Sequence, residues 1–172
     1  MRVLGGVVVT GSKNAFLVET PDGVLRRCVL KGKVLKDLKG CYNSLAPGDR
    51  VLLEPDSFQE DRGSILGMEG RRNLFWRWNE KGKSAQAIAA NLDLVVCVAS
   101  ARFPPFRPRF VDRVAVMVEL EDLPFLVVLN KADLGADGEI DARMEDYRRI
   151  GYGVLACSTL DGRGIDDLRA SV

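Results

Sequence analysis

The sequence predicts a small all-β barrel followed by the first part of an α/β domain with a parallel sheet. Short apolar runs broken by turn residues fill the first 75 residues, whereas longer apolar runs alternate with charged segments from residue 91 onward. The charge is also uneven: residues 1–83 carry 15 basic and 10 acidic side chains, and residues 84–172 carry 10 and 14. We therefore expect two domains, 1–75 and 91–172, joined by a polar linker over 76–90.

The composition excludes several classes of protein and site. The chain has 172 residues, of which 47% are hydrophobic, so its core is large enough for unaided folding. It has no histidine, which excludes Ser-His-Asp triads and imidazole metal ligands. Its four cysteines lack the spacing of a zinc site. Its apolar runs fall far short of the roughly 18 residues of a membrane span. With no signal-peptide pattern, we expect a cytoplasmic protein that makes no membrane contact.

The barrel is predicted from five short apolar runs bounded by turn residues such as Gly23 and Gly48. The predicted strands cover residues 7–10, 15–18, 24–30, 51–53 and 64–67. Several short strands at roughly 8–12-residue spacing are typical of a small barrel or sandwich. Five strands in about 70 residues fit an OB-fold. An SH3-like barrel fits nearly as well.

Two stretches near the barrel are candidates for RNA contact. Residues 26–39 carry six basic side chains and one acidic one, and residues 71–78 interleave arginines with Phe75, Trp76 and Trp78. Cations neutralise phosphates, and aromatic rings stack on unpaired bases. The candidate RNA-binding residues are Arg26, Arg27, Lys31, Lys33, Lys36, Arg71 and Arg72. The alternative is a solvated charged face, with the aromatic side chains packed at a domain junction.

The predicted linker contains Gly82-Lys83-Ser84, which matches the end of the phosphate-binding pattern G-x-x-x-x-G-K-[ST]. That pattern needs a glycine five residues before Gly82, where this chain has Arg77. The residues between them are also too large for backbone N–H groups to wrap a phosphate. We therefore interpret the tripeptide as part of a polar linker.

The α/β domain is predicted from three strand–helix repeats. The predicted strands are 92–99, 125–129 and 152–157, and the predicted helices are 109–121, 139–150 and 164–170. Near-continuous apolar strands are typical of a parallel sheet that is covered on both faces. Ligands bind such sheets in the crevice beyond the carboxyl ends of the strands.

The sharpest motif, Asn130-Lys131-Ala132-Asp133, follows the second of these strands. It matches N-K-x-D, the pattern with which GTPases recognise guanine. The Asp133 carboxylate can accept hydrogen bonds from both N1–H and the exocyclic amine of guanine, a pair of donors that adenine lacks. Asn130 can donate toward O6 or N7 of the base or brace the neighbouring loop, and the Lys131 stem can lie along base and ribose. The alternative is a polar loop in which Asp133 caps a helix.

A second guanine contact is expected one strand–helix repeat later, at Ser158 and Thr159. In GTPases the corresponding loop is usually Ser-Ala-Lys and directs a backbone N–H at guanine O6. Ser158 matches this pattern. Thr159 and Leu160 replace the usual alanine and lysine.

The order of these features resembles the circularly permuted ribosome-assembly GTPases of the RsgA family, in which the base-reading loops precede the P-loop. The resemblance covers essentially the whole chain. It is carried by the N-K-x-D motif, by Ser158 and by the segments 47–51, 71–74, 88–93, 104–109 and 112–113.

This resemblance implies a GTPase that couples GTP hydrolysis to late maturation of the small ribosomal subunit. It implies an OB domain that contacts rRNA, a G domain that binds GTP or GDP with Mg²⁺, and zinc only in a C-terminal domain beyond the residues given. The partners would be the small subunit and its rRNA, and the protein would be a monomer. The implied guanine-binding residues are Asn130, Lys131, Ala132, Asp133, Ser158 and Thr159.

The sequence stops where the P-loop strand of the family would begin. We therefore expect no catalytic residue and no metal ligand within it, weak nucleotide binding, and no turnover of GTP by this chain alone, because phosphate positioning carries most phosphoryl-transfer catalysis. A function of a different class stays open. The chain would then be a stand-alone RNA- or ribosome-binding module with a structural half G domain, and Asp133→Ala would leave RNA binding and stability nearly unchanged.

Overall fold

The structure is a computed structural model that describes residues 2–12, 14–32 and 41–172. Lys33 and Lys36, two of the candidate RNA-binding residues, lie outside this described part of the chain. The chain divides into two units, residues 1–92 and 93–172.

Five strands close a barrel in the first unit. They are β1 (Leu4–Ser12), β2 (Ala15–Glu19), β3 (Leu25–Leu30), β4 (Arg50–Pro55) and β5 (Arg62–Met68). The order around the barrel is β1-β2-β3-β5-β4, and β4 pairs back onto β1. Strands β3 and β5 are parallel, and the other neighbours are antiparallel. This topology confirms the OB-fold and decides against the SH3-like alternative.

The period-2 pattern of these strands builds the barrel core, because alternate side chains point inward. Arg26 and Cys28 on β3 are buried, for example, while Arg27 between them is exposed. The buried apolar cluster consists of Val8, Phe16, Val18, Cys28, Leu45, Val51, Leu53 and Ile65. Full burial of one such aliphatic or aromatic side chain contributes about 1.5–3 kcal/mol.

Residues 76–90 form a β-hairpin, so the prediction of a linker there is wrong. Strand β6 (Leu74–Asn79) pairs antiparallel with β7 (Ser84–Ala90), and both belong to the first unit. Strand β7 is rich in alanine, a residue depleted in strands, and β6 mixes aromatic with charged and polar residues, so neither segment shows a strand pattern in the sequence. Gly82-Lys83-Ser84 spans the end of the hairpin turn and the start of β7, whereas a P-loop joins a strand to a helix.

Two contacts fix this hairpin to the barrel. The Asn43 side chain donates to Ala87 O and accepts from Ala87 N, both at 2.9 Å. Next to it, Ala90 N donates to Pro47 O at 2.8 Å. Gly48 lies so close that a Cβ atom there would be 2.0 Å from Ala90 O, and its φ of 87° also favours glycine. The hairpin therefore gains the tertiary packing that an isolated ribbon lacks.

A buried ion pair supports the loop that precedes β4. The Asp49 side chain is fully buried, and Arg71 is bound to it by two hydrogen bonds of 2.8 Å, from Nε to Oδ1 and from Nη2 to Oδ2. Asp49 Oδ2 also accepts from Ala46 N at 2.8 Å, and Arg71 donates to Ser44 O at 3.3 Å. Hydrogen bonding to Asp49 raises the pKa of the Arg71 guanidinium above its ordinary value. Arg71 thus stabilises the fold from within.

The second unit is a three-stranded parallel sheet with helices between its strands. The elements are β8 (Val95–Ser100), α1 (Pro108–Leu120), β9 (Phe125–Asn130), α2 (Gly138–Arg149), β10 (Gly153–Ala156) and α3 (Ile165–Ala170). The sheet order is β10-β9-β8, and both pairs are parallel. This confirms the predicted parallel α/β unit. None of the helices among the described residues is long and apolar enough to cross a membrane.

Tyrosine hydroxyls connect the helices of this unit. Tyr147 on α2 donates to Asp112 on α1 at 2.7 Å, and Tyr152, before β10, donates to Glu119 at 2.8 Å. The Tyr152 ring also packs edge-on against Phe125. Burial, together with the bond to Glu119, raises the pKa of Tyr152 to about 12. These bonds hold α1 and α2 beside the sheet and so fix where the strand-end loops begin.

We expect Cys41 to react with a thiol reagent well before the other three cysteines. Cys28, Cys97 and Cys157 are buried, and burial raises the pKa of the first two thiols to about 11. Since the thiolate is the reactive form, these thiols react at pH 8 only when the chain opens. Labelling with a chromogenic disulfide should show one fast thiol in the native chain and four in denaturant. An unchanged fast phase in Cys41→Ser would contradict the assignment.

Candidate guanine-binding site

The carboxyl ends of the three parallel strands bring the candidate guanine-binding residues together. In the sheet register Ser100 on β8 pairs with Asn130 on β9, and Ala156 on β10 pairs with Leu129. The loops 101–107, 131–137 and 157–164 therefore begin at the same edge. This is the edge where ligands bind in open parallel sheets.

Asn130 shapes the loop that carries the motif. Its Oδ1 accepts from Lys131 N at 2.8 Å, which leaves the amide NH₂ as the group able to donate to a base. Lys131 adopts φ 63°, a left-handed conformation that turns the chain sharply after β9. The Lys131 ammonium donates to Phe103 O in the loop after β8. Sequence reasoning missed Phe103, because a main-chain acceptor leaves no signal in the residue type.

Asp133 and Ser158 meet through a short hydrogen bond. Ser158 is fully buried, and its Oγ donates to Asp133 Oδ1 at 2.6 Å. The same hydroxyl oxygen accepts from Leu160 N at 3.2 Å and Asp161 N at 3.3 Å. A second tie, from Ala132 N to Cys157 O at 3.0 Å, joins the loops through the main chain. The carboxylate is therefore held in place through Oδ1, which keeps a second lone pair, so that both of its oxygens can accept from a ligand.

The alternative in which Asp133 caps a helix does not match the geometry. Asp133 lies in a single 3₁₀ turn (Ala132–Leu134). Helix α2 is capped by Asp137, whose Oδ1 accepts from Ile140 N at 2.9 Å. The half-buried carboxylate of Asp133 is thus not needed to begin α2.

Thr159 follows Ser158 in a closed loop. Ser158 N donates to Arg163 O at 2.8 Å, and Gly162 N donates to Ser158 O at 3.0 Å. Thr159 itself is exposed, and its N–H makes no hydrogen bond to any residue in the described ranges. The loop packs tightly against β10, since a Cβ on Gly164 would lie 2.2 Å from Ala156 O. An N–H held in a fixed loop beside Asp133 can donate to a base carbonyl.

The candidate RNA-binding residues separate into buried and exposed sets. Arg26 is buried, with its guanidinium bound to Asp22 at 2.9 Å and to Thr20, and this pairing holds the pKa of Asp22 well below its usual range. Arg71 is bound to Asp49 in the same way. For both residues the prediction of RNA contact must be corrected, because their charges are already neutralised inside the protein.

The remaining candidates lie at the surface. Arg72 donates to the carbonyls of Asn91 and Leu92. Lys31 is exposed and pairs with Glu54 at 2.8 Å. Arg27 is exposed, and its side chain has no ion pair with any residue that the structure describes. Among the described residues, the basic surface of the barrel is therefore smaller than the sequence suggests.

No metal site is formed by the residues in the described ranges. Nowhere among them do three or more aspartate, glutamate, cysteine or histidine side chains come close enough to hold an ion. Since Mg²⁺ in nucleotide sites is held by one or two carboxylates together with substrate phosphates, this observation concerns a metal site made by the protein alone.

A family model decides the relationship: that of the RsgA GTPases matches residues 68–172, more than half of the chain. The chain belongs to the RsgA GTPase family. The match covers the β6–β7 hairpin and the whole second unit, including the loops that hold Asp133 and Ser158. The family expected from the sequence is confirmed.

Individual RsgA relatives extend the match to the barrel. The small ribosomal subunit biogenesis GTPase RsgA of Chlorobaculum parvum is 37% identical over 98% of this chain and 56% of its own length. That of Borrelia recurrentis is 32% identical over 94% of this chain and 51% of its own length. The chain thus spans about half the length of these curated relatives.

Solved structures agree with the fold of this RsgA-family chain. YjeQ from Thermotoga maritima superposes with a TM-score of 0.72 at 27% identity, over 99% of this chain and 57% of that one. YloQ, described as a circularly permuted GTPase, gives 0.65 at 25% identity, over 98% and 55%. The expected fold, an OB barrel followed by part of a circularly permuted G domain, is confirmed.

Proposed function

We propose that this chain carries the guanine-recognition loops and the ribosome-contacting barrel of a GTPase that acts in small ribosomal subunit biogenesis. One observation carries the proposal: the Asp133 carboxylate is fixed by Ser158 at the carboxyl edge of a parallel sheet. The names of the curated relatives support the cellular role. GTP hydrolysis, with its Mg²⁺, is proposed for the whole protein, since those relatives are nearly twice as long.

Guanine selection follows from the donors and acceptors of this edge. The Asp133 carboxylate accepts from N1–H and the exocyclic amine of guanine, and the Thr159 N–H donates to O6. In adenine, N1 carries no hydrogen to donate to the Asp133 carboxylate. Its 6-amino group is a donor at the position where the Thr159 N–H needs an acceptor. Each mismatch leaves a polar group without a partner, which costs more than the bond itself contributes. The site therefore prefers guanine by several independent contacts.

The barrel is proposed to contact RNA of the small subunit. The proposal is supported by the OB-fold, which commonly binds oligonucleotides, and by the exposed, unneutralised charge of Arg27. We also propose that the protein acts in the cytoplasm as a monomer. Cosedimentation with purified small subunits tests this part, with the barrel variants given below.

In an NMR titration, we expect the chain to bind GDP at least about 10-fold more tightly than ADP, and Asp133→Ala to abolish that preference. The reason is the loss of two hydrogen bonds to a charged acceptor, each worth about 1.5–3 kcal/mol. Backbone amide shifts of Thr159 and Leu160 should follow GDP in the wild type. The unliganded spectrum of the variant checks its fold. Equal binding of GDP and ADP by the wild type would overturn guanine recognition.

A further inference from the structure

Two arginines stand side by side on the outer face of the barrel. Arg27 on β3 and Arg62 on β5 are register partners in the parallel strand pair of the barrel. Both are exposed, whereas Arg26, Cys28 and Gly63 beside them are buried. Both arginine side chains therefore point outward on the same side of the sheet. Neither side chain has an ion pair or hydrogen bond with a residue in the described ranges.

This arrangement is unfavourable for the folded chain alone. Like charges on directly neighbouring strand positions repel each other. The nearby exposed Lys31, by contrast, has a carboxylate partner in Glu54. An anion bound between Arg27 and Arg62 would offset their repulsion.

An exposed aromatic residue lies in the adjoining loop. Phe58 is 97% exposed in the β4–β5 loop, residues 56–61. The loop is ordered, since Asp56 Oδ1 accepts from Phe58 N at 2.8 Å and from Gln59 N at 3.1 Å. The main-chain oxygen of its last residue, Asp61, accepts from Arg27 N at 2.7 Å, so the loop is bonded directly to the strand that carries Arg27.

We propose that Arg27, Arg62 and Phe58 form a contact surface for single-stranded RNA. The two guanidinium groups bind successive phosphates, and the Phe58 ring stacks on an unpaired base. Both kinds of contact are used by proteins that bind single strands. Glu60 and Asp61 lie in the same loop, so binding depends on directed contacts at short range rather than on a long-range positive field. The inference rests on the proposed RNA contact of the barrel and names its residues.

The test measures binding of the 172-residue chain to a fluorescent 12-nucleotide oligouridylate between 50 and 200 mM KCl, and its cosedimentation with small subunits. Two lost phosphate contacts in R27Q/R62Q should make the slope of log K against log [KCl] shallower by about 1.4, or roughly 25-fold weaker binding at 0.1 M. Phe58→Leu should weaken binding about 5- to 150-fold with an unchanged slope, and Phe58→Trp should retain it. R2Q/R50Q, which removes two other exposed arginines of the first unit, is the matched control.

Each outcome separates this inference from the proposed function. The RNA surface is supported if R27Q/R62Q makes the salt dependence of binding shallower and Phe58→Leu lowers the affinity without changing that salt dependence. If the wild type binds small subunits but the variants match R2Q/R50Q, the surface is wrong and the proposed function stands. Variants that weaken subunit binding without affecting the oligonucleotide would assign the surface to a protein and overturn the inference. If the wild type binds neither probe, the ribosome-contact proposal fails as well.

Discussion

Arg71→Met is expected to destabilise the first unit by about 3 kcal/mol. The substitution preserves most of the side-chain volume but, among the described residues, leaves the fully buried Asp49 carboxylate with only the Ala46 N–H as a partner. Removing one member of a buried ion pair typically costs 3–5 kcal/mol, because the remaining charge is uncompensated. We expect the lower end, since the Arg71 side chain is 14% exposed and water can reach the space. Urea unfolding followed by Trp fluorescence measures the loss.

Two variants check that the cause is the unpaired charge. Asp49→Asn combined with Arg71→Met should recover part of the lost stability, because no buried charge remains. Arg27→Met, an exposed arginine of the same unit, should change the free energy of unfolding by no more than about 0.5 kcal/mol. Equal losses in Arg71→Met and Arg27→Met would show that the ion pair does not stabilise the fold.

Asp133→Asn is expected to exchange guanine selectivity for xanthine selectivity. The amide presents one acceptor and one donor where the carboxylate presents two acceptors. Guanine then faces a donor with its own amine, whereas the 2-oxo group of xanthine accepts from that donor. The contact with the guanine amine is lost and a contact with the xanthine 2-oxo group is gained. The affinity for GDP relative to that for xanthosine diphosphate (XDP) should therefore fall by roughly 100-fold or more. Competition between the two nucleotides in the NMR titration measures this ratio.

Asp137→Asn is the matched control for this switch. Asp137 caps α2 a few residues after Asp133, and asparagine is an equally good N-cap residue. The control should therefore keep both the fold and the guanine preference. If Asp133→Asn and Asp137→Asn gave the same nucleotide preference, Asp133 would not read the base.

The sequence predicted elements wherever the hydrophobic pattern had one clear period. The strands of the barrel and the buried strand before Asn130 are examples, because a half-buried strand alternates and a fully buried one is continuously apolar. The β6–β7 hairpin was missed, since most of its residues are only partly buried and the alanine-rich β7 has neither pattern.

The roles of the arginines could be predicted least well. A count of basic residues in 26–39 does not show that Arg26 points inward to Asp22, or that Arg71 is neutralised by Asp49, 22 residues away. Strand register, which the sequence does not give, decides that Arg27 neighbours Arg62. Asp133 and Ser158 were expected to lie at the same base because their motifs resemble those of GTPases, and no contact between them was predicted. The hydrogen bond between them depends on the parallel pairing of the strands, which brings the loops at their carboxyl ends together.

The hydrogen bonds that close the proposed guanine-binding edge lie within residues 100–164, which has a consequence for the order of folding during synthesis. The ties that join its loops, from Lys131 to Phe103, from Ala132 to Cys157 and from Asp133 to Ser158, all lie inside this span. Each strand also pairs with the one formed just before it. A nascent chain can therefore form the proposed guanine-binding edge once this part of the chain has left the exit tunnel.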